Sequence, residues 1–248
     1  MYKPIGLSAD QIKICEHTIS PTTFYLLVGD ALVNHKPLSV VRMADGEREL
    51  LAASKEGNPD DVVTINQPDP LAWLTKMGCV GLSKRELRRR LEIAANECTY
   101  FAPSISGIPQ PNYSVYDLFN RRDRYVDSFF HNVWTEEMKI ELFKAAKHVL
   151  FIHRNTASAD AMQIRAKWAL GVKVTYLKLE RWQQADEVIE KGSKIPASLV
   201  LFSAGPASKY IGPRIAKQGD VPKVTLDIGQ SSDLWLLNSL KDIPNGRR

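Results

Sequence analysis

LSVVRMADGERELLAAS, residues 38–54, changes character at its midpoint. Leu38 to Met43 is short and valine-rich, as a buried strand is; ADG is turn-prone, and ERELLAAS favours a helix. This is a strand–loop–helix unit. The rhythm returns in the second half, where His148 to His153, Val172 to Leu177, Ser198 to Ser203 and Val224 to Ile228 read as apolar strands. Helical patterns between them are long enough for crossover connections. Alternating strands and helices predict a doubly wound α/β fold, a mainly parallel sheet with helices on both faces.

Outward from this core, Ala9 to His35 shows helical spacing in two pieces, with Ser20 and Pro21 placed as N-cap and first-turn proline of the second. A short helix is expected over Asp69 to Gly78. Ser83 and Glu86 form a capping-box pattern for a helix reaching about Cys98, and Tyr100 to Ala102 reads as a strand. Pro103 to Asn120 carries prolines, glycines and then aromatics, which predicts a long loop of the kind that covers sites. The 248 residues show no repeat, low-complexity tract or linker. They are expected to form a single domain, with a helical segment (1–36) before an α/β core (37–240).

Hydrophobic residues make up 44% and charged residues 25%, ordinary for a globular protein. A net charge of +5 and an isoelectric point near 9.0 suit an anionic partner such as a nucleotide diphosphate, a nucleic acid or an acidic surface. Cys15, Cys79 and Cys98 have none of the paired spacings of zinc ribbons or disulfide scaffolds, so reduced core thiols are expected. MYKPIGLSADQIK lacks the apolar run of a secretory signal. No stretch approaches the ~20 apolar residues of a membrane span. A cytoplasmic protein is the expectation; the sequence leaves its oligomeric state open.

In an open parallel sheet the ligand crevice lies beyond the carboxyl ends of the strands. There the sequence puts Arg42, Asp45, Gly46 and Glu47, then His153 and Arg154, then Gly205 to Lys209, and last Asp227 to Asp233. Asp45 and Glu47, one glycine apart, can point at one divalent cation that would neutralise a departing diphosphate. A solvated turn with Asp45 capping the next helix is the plainer reading of the same residues. Gly205, Pro206, Ala207 and Ser208 follow a buried strand, where small residues and free N–H groups would admit a phosphate, with Lys209 as counter-charge. A tight strand-to-helix connection fits them equally. Arg121, Arg122 and Arg124 lie among Tyr113, Tyr116, Phe119, Tyr125 and Phe129, a mixture able to hold a diphosphate, a sugar or a flipped base, although core aromatics with exposed arginines are the plainer reading. The Arg88 to Arg90 run reads as a solvated helix face, and His153 as a structural hydrogen-bonding group. Neither the P-loop pattern nor the glycine fingerprint of dinucleotide-binding domains occurs.

SVVRMADGERELL resembles the strand and RxGDGE segment of GT-D glycosyltransferases, and INQPDPLAWL resembles that family's glutamine-containing stretch. LFSAGPASKYIGPRIAKQG and VTLDIGQ are similar to its GPTA helix and DIGH turn. The similarity runs over about Leu38 to Leu236. It implies a GT-D fold in which Asp45 and Glu47 are the DxE metal ligands for Mn²⁺ or Mg²⁺. Arg42, Gly46, Gln67, Arg154, Gly205 to Lys209 and Gln230 would line the donor pocket. The chain departs from the pattern at Ala44, where the family has glycine, and at Gln230, where it commonly has histidine. The acidic group beyond is shifted to Asp233, so Asp227 and Asp233 stand as the catalytic carboxylates.

The resemblance implies transfer of a hexose, with UDP-glucose as donor, to a hydroxyl acceptor: a glycan or a hydroxymethylated base in DNA. The residues also permit a non-catalytic nucleotide- or nucleic-acid-binding module, or a metal-dependent phosphoesterase using Asp45, Glu47 and Asp227.

Overall fold

All six residues of Leu38–Met43 are buried, because the strand they form stands inside an eight-stranded sheet with neighbours on either side. The computed structural model describes residues 16–105, 124–154 and 170–229. Its strands are β1 (Thr18–Ile19), β2 (Leu38–Met43), β3 (Tyr100–Pro103), β4 (Tyr125–Val126), β5 (His148–His153), β6 (Lys173–Lys178), β7 (Leu199–Ser203) and β8 (Val224–Asp227). They run in the order β1-β4-β3-β2-β8-β7-β5-β6, and every neighbouring pair is parallel. β8 enters between β2 and β7 and is the strand that joins the two halves of the sheet.

Strand alternation divides the core in two. Val41 and Met43 of β2, Leu150 and Ile152 of β5, and Val200 and Phe202 of β7 face one layer of helices: α2 (Asp45–Ser54), α3 (Pro70–Met77), α4 (Lys84–Glu97), α6 (Ala185–Lys194) and α7 (Ile211–Gln218). Val40, Val149, Phe151, Leu199 and Leu201 face the other, made by α1 (Pro21–Val33), α5 (Glu136–Ala146) and the turn at Phe130–Val133. The fold is therefore the doubly wound, Rossmann-like α/β architecture the sequence predicts. Among the described residues, no helix is long and apolar enough to cross a membrane.

Local signals place most helix starts. Ser20 Oγ accepts the Thr23 N–H at 3.0 Å with Pro21 in the first turn, and Asp69 Oδ1 accepts the Ala72 N–H at 3.0 Å with Pro70 behind it. Ser83 caps α4 through the Glu86 N–H, but the box stays half-closed, because the Glu86 carboxylate turns to Arg89 and Arg90 at 2.7–2.8 Å. Arg90 is no solvated residue: it is buried, with its guanidinium 5.1 Å from the Trp182 ring centroid and 4.6 Å from that of Tyr210. Cys79 and Cys98 are buried free thiols, as expected, and burial pushes the Cys79 thiol up to about 12; Cys15 lies outside the described residues.

His131 is buried beneath the second layer, and burial, then Arg42 and Lys139, lower its pKa to about 3. Its neutral form is the one folded, so its contribution is present above 6.5 and is lost as pH falls from 6.5 towards 3. Acid unfolding of His131→Phe should accordingly lose pH dependence across that window; an unchanged midpoint profile would show that other groups dominate it.

Candidate functional site

Because β2, β8 and β7 are parallel neighbours, their carboxyl ends bring together segments far apart in sequence: Arg42 to Glu47, Asp227 to Gly229, and Gly205 to Lys209. At their meeting point the Lys209 ammonium lies 2.6 Å from Asp227 Oδ2 and 3.3 Å from Glu47 Oε1, with all three residues buried. Burial pulls the Lys209 pKa down, yet Asp227 and then Glu47 carry it above the ordinary lysine value. Asp227 also accepts the Arg42 N–H on Oδ2 at 3.0 Å and the Gly229 N–H on Oδ1 at 3.2 Å. Both of its oxygens thus carry hydrogen bonds, which makes it an organiser of three strand ends. Glu47 Oε2 accepts the Ala44 N–H at 2.8 Å, closing the first turn of α2.

These contacts bear on the expected divalent ion. Glu47 has one oxygen on a backbone N–H and the other beside a buried ammonium, so in this arrangement it does not fit as a metal ligand. Among the described residues, no group of three or more His, Cys, Asp or Glu side chains could hold a metal. Asp45 begins α2 directly after Ala44, and its side chain lies outside what is described.

Arg42 differs from Lys209. Its guanidinium is buried against Gly229 and sits 5.8 Å from the Phe129 ring centroid, and Nε and Nη1 have no hydrogen-bond partner among the described residues. Burial lowers its pKa, with Asp227, Glu47 and Asp127 opposing. Gly229 adopts φ +55°, and a Cβ there would stand 2.3 Å from Arg42 Nη1, so only glycine lets the guanidinium lie where it does. α2 starts three residues after Arg42, and its first N–H groups have no partner within the helix and carry the positive end of its dipole. A buried cation with unpaired donors beside such a terminus calls for an anion.

The other expected donor residues fall into distinct places. Gly205 has φ +75°, and a Cβ on it would lie 2.3 Å from the Met77 carbonyl oxygen. Pro206–Ser208 is a buried 3₁₀ turn and α7 begins only at Ile211, so this backbone packs inward where a phosphate-binding helix start was expected. Gly46 is covered by Met77 and Trp73 of α3. Arg154 donates to the Thr75 carbonyl at 2.5 Å and that of Glu180 at 3.4 Å, clamping the end of α3 across the crevice. Gln67 donates to Glu49 at 3.2 Å. His153 stacks on Phe151, centroids 5.3 Å apart. Arg124 is exposed and directly precedes β4, whose Tyr125 pairs with Phe101 of β3. Arg121, Arg122, Gln230 and Asp233 lie outside the described residues.

Two contributions escaped the sequence reading: α3 as a roof resting on Gly46 and Gly205, and Phe129 beneath Arg42. The proline-flanked PDPLAWL was the one signal for the roof. Gly205→Val should lower the Tm of the ligand-free protein by several degrees, because a β-branched side chain meets both the positive φ and the Met77 carbonyl. An unchanged Tm would mean that α3 does not rest there.

Among known protein families, the model of the GT-D fold-like domain matches residues 19–235. No curated protein and no solved structure matches the chain.

Proposed function

Because the chain belongs to the GT-D-like domain family, we propose that it is a glycosyltransferase that moves a hexose, glucose first among them, from a UDP-sugar to a hydroxyl group. The observation that carries this reading is the Arg42 guanidinium, buried at the carboxyl edge of the central strands with Nε and Nη1 unpartnered among the described residues. A diphosphate supplies the missing acceptors, and a guanidinium fork matches phosphate oxygens. When the sugar–phosphate bond breaks, negative charge grows on the leaving UDP. Arg42 and the first N–H groups of α2 are preorganised donors for that charge in a site shielded from water. α3, held by Arg154, roofs the reacting end. No step is assigned to Mn²⁺ or Mg²⁺, since Glu47 is committed elsewhere.

The acceptor is the hydroxyl of a glycan or of a hydroxymethylated base in DNA, and the net charge of +5 favours a polyanion. Calorimetric titration with UDP-glucose, UDP and other nucleotide-sugars tests the donor: UDP-glucose should bind and UDP should compete. Failure of every nucleotide-sugar to bind would overturn the reading. Incubating protein and UDP-glucose with duplex DNA containing 5-hydroxymethylpyrimidines, or with glycans, then separates the acceptors by which one gains the mass of a hexose.

A further inference from the structure

We infer that Lys209 is the resident cation of this crevice, a positioning residue whose ammonium bridges Glu47 and Asp227, and that Glu47 is therefore a structural carboxylate and not a ligand for a divalent ion. This deepens the transferase reading, and its test needs no donor.

Four observations converge. The Lys209 ammonium is 2.6 Å from Asp227 Oδ2 and 3.3 Å from Glu47 Oε1, and the lysine side chain is only 8% exposed. The carboxylate oxygens it leaves are occupied: Asp227 Oδ1 by the Gly229 N–H and Glu47 Oε2 by the Ala44 N–H. Lys209 therefore has no reach to spare for a donor phosphate, whereas Arg42, in the same crevice, has two nitrogens unpartnered among the described residues. Finally, a divalent ion at Glu47 would have to enter beside one buried ammonium and one buried guanidinium, both of which repel it.

The bridge also explains why the segment from Ala204 to Lys209 tightens into a 3₁₀ turn. The turn drops Lys209 beneath the start of α2, so that one ammonium ties the loop after β7 to the loop after β2 and the end of β8. What places Arg42 is the same triad, because Asp227 Oδ2 accepts the Arg42 backbone N–H while it receives the lysine. In this arrangement lysine does the orienting that a metal would do.

Titration of Mn²⁺ alone into the full-length protein, read by the paramagnetic resonance signal of free Mn²⁺, together with thermal unfolding in chelator, decides the matter. Glu47→Gln should lower the Tm in chelator on the order of 5 °C, since it breaks one arm of a buried ion pair, and should leave Mn²⁺ uptake as in the wild type. Lys209→Met should raise Mn²⁺ affinity by about tenfold or more, because two carboxylates lose their cation and affinity follows ligand charge. A fall in Mn²⁺ affinity in Glu47→Gln, or an unchanged Tm, would overturn the assignment. So would a folded Lys209→Met that gains no affinity. If Lys209→Met does not fold, the Glu47→Gln pair of measurements still decides, and neither outcome depends on whether UDP-glucose is the donor.

Discussion

Arg42→Met should weaken UDP-glucose binding roughly a hundredfold or more. Nε and Nη1 have no partner among the described residues, and each hydrogen bond from a charged donor contributes about 1.5–3 kcal/mol when its acceptor arrives; two such bonds exceed the 1.4 kcal/mol per tenfold that affinity follows. Arg42→Lys should recover little, because a single ammonium cannot reproduce the fork. Without ligand the methionine variant should be no less stable than the wild type, since a buried cation with unpaired donors is itself costly. That opposition of sign, affinity lost and fold kept, separates a ligand-binding arginine from a structural one. Intact affinity for UDP and UDP-glucose in Arg42→Met would remove the site from this crevice.

Asp227→Asn should cost the fold more than any other single change at the strand ends. It leaves the Lys209 ammonium buried with Glu47 alone at 3.3 Å, and breaking a buried pair by removing one partner costs about 3–5 kcal/mol. For a chain of this size that corresponds to a Tm lower on the order of 10 °C. The single amide oxygen can accept only one of the two N–H groups, of Arg42 or of Gly229, that the carboxylate holds on separate oxygens, so the loss combines the missing charge with one backbone hydrogen bond. The double variant Asp227→Leu with Lys209→Met should regain part of the stability, because an apolar pair replaces two of the three buried ions while Glu47 is left with the Arg42 guanidinium as its nearby cation. It should stay inactive, with Arg42 no longer held by its backbone. A Tm within a degree or so of wild type in Asp227→Asn would show that the pair is not formed in solution.

Much of the scaffold was legible. The valine-rich Leu38 to Met43 and the apolar His148 to His153 became β2 and β5 with the same bounds, because buried parallel strands read as continuous apolar runs. Ser20, Asp69 and Ser83 cap the helices their spacing announced. The site was legible as a set of strand ends and not as roles. Lys209 read as a counter-charge for phosphate because its neighbours suggested a helix start. The 3₁₀ turn at Pro206–Ser208 instead delivers it to carboxylates 162 and 18 positions away along the chain, a pairing that local pattern does not encode. Gly205 read as room for a ligand, and what fills that room is the backbone of Met77. Arg90 read as solvated because its run of arginines hides that one of them faces Trp182 and Tyr210. In each case the residue type was informative and the direction of the side chain was set by tertiary packing.

The central place of β8 has a consequence for how the chain is made. Val224 to Asp227 comes after every other described strand, yet it is the piece that pairs with both β2 and β7. While the polypeptide is emerging from the ribosome, the two sheet halves can form early but must wait with facing edges bare, each a template for wrong partners. Only when the last strand slots in are those edges sealed, and the same event delivers Asp227 to Lys209. A nascent or truncated chain that stops before Val224 is thus exposed to aggregation and inert, and the completed one becomes protected and competent in a single docking step.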